Sequence, residues 1–232
     1  MSNNPQPEPD DDLTPAATVL LLRDTADGVE VLMVKRNSKI AFGGMWAFPG
    51  GRVDDEDLVP GDVLASARVA AAREVAEETG LVVSAADLTP WSYWVPPPRP
   101  AIDSPGPRRR FSTWFFVAPA PAGEVAIDHG EIHDDRWLTP TAALEQHRAG
   151  EIELVPPTWI TLTQLAVHAG VAEAVAWADA TESPEFQTKP IGRDPLTIAW
   201  AGDAAFDGPP EDDDGSRNRL VLDPAGWRYL NS

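Results

Sequence analysis

The stretch R73-E-V-A-E-E-T-G80 sets three glutamates and an arginine within about two helical turns. It ends PGDVLASARVAAAREVAEETG (60–80), which reads as a helix with Asp62 placed as N-cap and Gly80 as C-terminal stop. A helix advances about 100° per residue, so with Glu74 at zero, Glu78 falls near 40° and Glu77 near −60°. The three carboxylates share one arc. Arg73 stands four residues before Glu77, the spacing of a helical ion pair. Ala65, Val69, Ala72 and Ala76 fall opposite, and small apolar residues there predict a helix lying close against a sheet. Two readings of the acids stay open. One is a solvated face, where each repulsion amounts to a few tenths of a kcal/mol. The other is a site for a hard divalent cation, Mg²⁺ or Mn²⁺, which prefers oxygen ligands.

Upstream, AFPGGRVDDED (47–57) places glycines before the acidic helix, where they permit close backbone approach. The apolar runs ATVLLLRD (17–24) and VEVLMVKR (29–36), joined by TADG, predict a hairpin. SKIAFGGMWAFPGGR (38–52) is a glycine-punctuated loop carrying Trp46 and Phe48. Downstream, DLTPWSYWV (87–95) and RFSTWFFVA (110–118) read as aromatic-rich strands on either side of a proline-stiffened loop. DDRWLTP (134–140) predicts a strand leading into a helix over 141–149. PPTWITLTQLAVHAG (156–170) and VAEAVAWADA (171–180) predict two more helices. PLTIAWAG (195–202) and RNRLVLD (217–223) predict two strands flanking an acidic loop. Strands mixed with separated helices indicate an α/β or α+β class. The expected organisation is a disordered tail over 1–15, a domain over 16–180 that includes the later helices, and an extension over 181–232 packed on that domain.

Composition narrows the function. Of the 232 residues, 43% are hydrophobic, enough for a packed core. The formal net charge of −19 argues against binding duplex nucleic acid, which needs clustered Lys and Arg. There is no cysteine, so disulfides and thiolate metal sites are excluded. No signal-like N-terminal segment and no apolar run of about 18 residues is present, so a cytoplasmic protein without a membrane span is expected.

The GG, the acids after it and REVAEETGL resemble the signature of the Nudix hydrolases. That signature is Gly, five residues, Glu, seven residues, then Arg-Glu-apolar-any-Glu-Glu-any-Gly-apolar. Gly51, Arg73, Glu74, Val75, Glu77, Glu78, Gly80 and Leu81 match it. The upstream half departs: Asp57 stands where the first Glu belongs, and fifteen residues (58–72) separate it from Arg73 instead of seven, an insertion of about eight. Asp57 and Glu56 are the acids on hand to replace that glutamate. The resemblance covers roughly residues 16–150 and implies an α/β/α sandwich around a mixed sheet. It further implies hydrolysis of a diphosphate linked to another moiety. By position, Glu74, Glu77 and Glu78 would bind the divalent ions, joined by a carbonyl of Gly50 or Gly51, and Arg73 would orient Glu74 or Glu77. The general base would be Glu74 or Glu131, the latter in IDHGEIHDDRW.

FPGGRVDDED, RRRFSTWFFVA (108–118) and VPPTWITLTQL (155–165) further resemble a long-insert branch related to coenzyme A diphosphatases. That implies coenzyme A or its thioesters as substrate; ADP-ribose, nucleoside-diphosphate sugars and dinucleotides are the alternatives, and a non-catalytic nucleotide-binding module is the alternative of another class. Trp46, Phe48, Trp91, Trp94 and Trp114 are candidates to stack on adenine. Arg52, Arg108, Arg109 and Arg110 are candidates to grip phosphates. His129 and His133 have i, i+4 spacing but fall in an expected loop, and a histidine metal site is not favoured. A monomer or a homodimer is expected, with a small nucleotide-like partner.

Overall fold

Val19, Leu20, Leu21 and Leu22 form an unbroken apolar run because both faces of their strand are covered, each residue being at most 1% exposed. In the computed structural model, residues 13–37, 44–98, 110–127, 130–208 and 215–232 are described. In chain order they form β1 (Leu13–Thr25), β2 (Gly28–Arg36), β3 (Trp46–Ala47), β4 (Gly50–Arg52), α1 (Val63–Thr79), β5 (Thr89–Val95), β6 (Arg110–Pro119) and β7 (Ile132–Leu138). Then follow α2 (Pro140–Arg148), α3 (Pro156–Leu165), α4 (Val171–Ala180), β8 (Glu185–Gln187), β9 (Lys189–Arg193), β10 (Leu196–Ala199), α5 (Ala204–Asp207), β11 (Asn218–Leu222) and β12 (Arg228–Asn231).

The main sheet runs β3-β2-β1-β6-β5-β8, with β4 also on β1 and β7 also on β2. β1–β6 and β5–β8 are parallel and the other pairs antiparallel, so the sheet is mixed. Alternation along β1 builds two cores. Ala17, Val19 and Leu21 face α1, meeting Ala67, Ala71 and Val75 together with Leu32 and Phe116. Leu20 and Leu22 face the other way, into a larger core shared with Met33, Phe115, Val117, the helices α2–α4, Ile198 and Leu220 of a second sheet, and Trp200 just after its strand β10. The expected sandwich of helices on both faces of a mixed sheet is therefore the observed fold.

Four expectations need correcting. β1 begins at Leu13, inside the expected tail, because its first residues pair with β6: Leu13, Thr14 and Pro15 stand opposite Arg110, Phe111 and Ser112. The helix expected over 156–170 stops at Leu165, and His168 in the following turn tucks between the rings of Trp91 and Trp177. The extension holds more strand than expected: β9–β12 form a four-stranded antiparallel sheet, and β8 joins the main sheet beside β5. Finally, the inward face of α1 is not Ala65, Val69, Ala72 and Ala76. The buried line is Ala67, Ala71, Glu74 and Glu78, at i+4, i+3 and i+4 steps, while Val69 is exposed. The apolar stripe and the acids lie on one side; the stripe turns from alanine to glutamate as α1 passes from the middle of the sheet to its rim at β4. Among the described residues no helix is long and apolar enough to cross a membrane.

Candidate active site

α1 is held at both ends as its sequence predicts. The Asp62 side chain accepts a hydrogen bond from the Ala65 N–H (2.8 Å), and Gly80 takes the left-handed conformation at φ 68° that stops the helix. Under its last two turns lies the glycine pair of β4. A Cβ on Gly51 would collide with the Glu74 carboxylate, and one on Gly50 would collide with the Ala17 carbonyl and Thr18. Gly51 thus lets a carboxylate-bearing helix settle on this strand, and Gly50 lets the strand lie close against β1.

Glu78 is 3% exposed. Its carboxylate accepts hydrogen bonds from the Gly50 N–H (2.9 Å) and from Arg36 Nη2 (3.0 Å), and Arg36 Nη2 also donates to the Gly50 carbonyl (2.8 Å). Burial pushes its carboxyl up to about 7, against the pull of Arg36 and the Gly50 amide. Glu74, 9% exposed, is also raised by burial; Arg73 opposes the shift and neighbouring Glu77 adds to it. Glu77 is exposed. Arg73 gathers the rest. Its Nη1 donates to Glu74 and to Glu77, both at 3.0 Å, and its Nη2 to the Arg52 carbonyl at 3.1 Å. Nε and Nη2 form a two-point contact with Asp57 at 3.0 and 2.8 Å.

That contact gives Asp57 its role. Asp57 closes a short 3-10 turn, Asp55–Asp57, by accepting from the Asp54 N–H, and it is 2% exposed. Burial would raise its carboxyl, but the hydrogen bonds from Arg73 and the Asp54 amide prevail and hold it below the usual range. The bond to Asp57, ahead of the neighbouring glutamates, likewise holds the Arg73 guanidinium above its ordinary value. The acid after the glycines is therefore an anchor for Arg73; Glu56 is exposed beside it.

The structure sorts the remaining candidates. Arg52 is exposed and pairs with Asp54 at 2.7 Å, beside the cluster. Arg110 is buried and donates to the carbonyls of Pro97 and Pro96, both at 3.0 Å; it ties down the proline segment and is not open to a phosphate. Trp46 and Phe48 are core residues, 2% and 3% exposed: Arg136 covers the Trp46 ring at 4.6 Å and Phe48 packs edge-on to Phe115. Neither ring is available to stack on a ligand, because the short strands of the glycine loop turn both into the larger core. Trp91 and Trp94 are buried likewise, whereas Trp114 stays half-buried. Glu131 is exposed, and its carbonyl accepts from the Asn37 N–H at 2.8 Å, which sets it next to Arg36 at the rim of the site. His133 is exposed on β7. Arg108, Arg109 and His129 lie outside the described residues. Arg36 is the residue the sequence reading missed. Its signal was slight: one cation at the end of an apolar strand.

The NUDIX domain family matches residues 12–157. The acyl-coenzyme A diphosphatase NUDT19 of Xenopus laevis is 34% identical over 87 residues, 37% of this chain but only 22% of that protein's length. A solved NUDIX hydrolase from Alicyclobacillus acidocaldarius superposes with a TM-score of 0.61 at 24% identity, over 74% of this chain and 97% of that one. The NUDIX domain of Shewanella oneidensis NrtR, solved with ADP-ribose, aligns at 19% identity and a TM-score of 0.47 over 66% of this chain and 85% of that one. The family match spans well over half the chain and contains the whole of the carboxylate and arginine cluster, so this protein belongs to the NUDIX domain family.

Proposed function

We propose that this Nudix protein is a divalent-metal-dependent diphosphatase that acts on coenzyme A or acyl-coenzyme A, giving 3′,5′-ADP and phosphopantetheine or its acyl form. The observation that carries the catalytic part is the desolvated pair Glu74 and Glu78. Both are raised by burial, both are pressed against the glycine strand, and each has a carboxylate neighbour that raises it further. Oxygen-only, anionic and under-compensated, this donor set suits Mg²⁺ or Mn²⁺. Among the described residues no three acidic or imidazole groups are gathered as a metal would gather them; Arg36 pairs with Glu78, and Arg73 with Glu74 and Glu77, without cancelling the effect of burial. Glu74, Glu77 and Glu78, with a carbonyl of Gly51, would hold the ions. A bound divalent ion neutralises diphosphate oxygens and lowers the pKa of water.

The chain's own groups do the rest. Arg73, fixed by Asp57, orients Glu74 and Glu77. Arg36 and the Gly50 amide orient Glu78. A carboxylate takes the proton of the attacking water as its oxygen bonds to phosphorus. The bridging P–O bond breaks, and its electron pair leaves on the second phosphate. Glu74 is one candidate for that base. Glu131, at the rim beside Arg36, is the other. The choice of coenzyme A rests on the partial likeness to the acyl-coenzyme A diphosphatase.

A substrate panel in ¹⁸O-labelled water, read by mass spectrometry, tests this reading. Coenzyme A and acetyl-coenzyme A should be cleaved to labelled monophosphate-ended products with Mg²⁺ or Mn²⁺. Cleavage of ADP-ribose, a nucleoside-diphosphate sugar or a dinucleotide, with coenzyme A untouched, would move the substrate and keep the chemistry. Full turnover by Glu78→Gln would refute the metal assignment.

A further inference from the structure

We propose that the cavity where β2 ends against the start of β7 binds a phosphate monoester of the substrate, the 3′-phosphate in coenzyme A, with Lys35 as its charged partner. The proposal deepens the diphosphatase reading and rests on it for the substrate's identity.

An irregular ladder borders the cavity. Lys35 stands opposite Asp134 and Arg36 opposite Ile132, so His133 is an extra residue on β7. A bulge of this kind breaks the alternation of side chains and re-aims them. Lys35, Arg36, Asn37, Gly44 and His133 together line a cavity of about 330 Å³. Small-molecule sites span about 300–1,000 Å³, so this one suits a single small group and not a whole nucleotide. Two backbone hydrogen bonds fix its walls: the Gly44 N–H donates to the Arg36 carbonyl and the Asn37 N–H to the Glu131 carbonyl, both at 2.8 Å. A Cβ on Gly44 would meet no atom within 4 Å, so the backbone there borders open space.

Place and charge both fit a second phosphate. Arg36 belongs to the cavity and to the acidic cluster at once, because its Nη2 donates to Glu78 at 3.0 Å and to the Gly50 carbonyl at 2.8 Å. In coenzyme A one ribose separates the 5′-diphosphate from the 3′-phosphate, so two sites that hold them must be neighbours. The arginines around the cluster are spoken for: Arg36, Arg52, Arg73 and Arg136 each pair with a carboxylate. Lys35 is half-buried, and among the described residues its ammonium makes no hydrogen bond or ion pair. Asp134, the acid opposite Lys35, has Arg136 at 3.6 Å instead. In a chain of formal net charge −19, an unpaired ammonium is a local attraction for an anion that the rest of the surface repels. Lysine binds phosphate as a point charge with no fork geometry to satisfy, and the exposed imidazole of His133 is a second donor beside it.

The test is equilibrium dialysis of 3′,5′-ADP and of AMP with the full chain in EDTA, so that binding is read without turnover. Wild type should hold 3′,5′-ADP about tenfold tighter than AMP. Lys35→Met should remove most of that preference and His133→Ala about threefold of it, while Lys35→Arg keeps it within about threefold of wild type. In steady state with Mg²⁺, the ratio of kcat/KM for coenzyme A to that for dephospho-coenzyme A should fall about tenfold in Lys35→Met. Equal losses on both substrates would make Lys35 a structural residue and overturn the site. A wild type with no preference for 3′,5′-ADP overturns it too, and that comparison needs no variant, so it decides even if Lys35→Met does not fold. If coenzyme A is not cleaved while the dialysis shows the preference, the substrate reading fails and the phosphate site stands.

Discussion

Arg36 and Gly51 show how much of the site depends on single groups. Glu78 is a carboxylate at 4% side-chain exposure that pairs, among the described residues, with Arg36 at 3.0 Å. Removing that cation leaves a buried anion with one amide partner, so Arg36→Ala should destabilise the metal-free protein by about 2 kcal/mol, measured by urea unfolding. Gly51→Ala places a methyl group where the Glu74 carboxylate now sits. The carboxylate must then leave its position. Activity should drop at least tenfold, while stability falls by about 1–3 kcal/mol from overpacking. Full activity in Gly51→Ala would show that Glu74 works from some other position. Asp57 and Arg73 form the third such dependence. Asp57→Ala strands a partly buried guanidinium that now binds four acceptor groups at once. A loss of about 3 kcal/mol in chemical denaturation is expected, together with reduced kcat as Glu74 and Glu77 lose their common partner.

At the scale of elements, α1 separates stability from chemistry along its length. Its first turns carry the N-cap and the alanine stripe; its last two carry the acids. Asp62→Ala removes one capping hydrogen bond at the far end, and about 1 kcal/mol of stability should go with it while kcat and KM stay within twofold. A change in kcat of tenfold or more would mean that the two ends are coupled. The inserted segment before the helix is an element in the same sense. It follows the turn at Asp55–Asp57, and the residues inserted between Asp57 and Arg73 leave those two side chains in contact. The altered spacing of the motif is thus absorbed by the loop, and the helix keeps its partner.

At the scale of the whole molecule, the second sheet is fastened by one buried ion pair. Asp203, with its side chain fully buried, accepts two hydrogen bonds from Arg219 at 2.6 and 2.7 Å and one each from the Ala205 and Asn218 N–H groups. Burial would raise its carboxyl, yet these partners lower it from 3.8 to about 2. A folded value below the unfolded one means stability present above about pH 4 and lost as pH falls toward 2, worth about 2 kcal/mol. Melting temperatures measured between pH 5 and pH 2 should show this loss, and Asp203→Asn should flatten the part of the slope due to this residue. An unaltered slope in that variant would remove Asp203 from the account. Ile198 and Leu220 of this sheet, with Trp200 beside it, share the larger core with β1 and α3, so the loss should appear in the unfolding of the whole chain.

Long, strongly patterned segments were legible from the sequence: the hairpin of β1 and β2, the span and both caps of α1, and the aromatic strands β5 and β6. The short strands were not. β8, β9 and β12 have three to five residues with Pro, Gly or charge among them, and no alternation marks them; they are strands because a neighbour supplies the hydrogen bonds. In the site, the motif named Glu74, Glu77, Glu78, Arg73 and the glycines, since helical spacing is a local property. It could not name Arg36, whose meeting with Glu78 joins residues 42 positions apart, nor the use of Asp57, nor the burial of Trp46, Phe48 and Arg110.

The sequence by itself determined the acidic helix, its family and the order of its main strands, because hydrogen bonds and apolar periods within a few residues suffice for those. Only the tertiary structure decided which side of that helix faces inward, which cations attend each carboxylate and which aromatic rings remain open. Those depend on how strands distant in the chain come to lie side by side, and on which side chains water can still reach once they do.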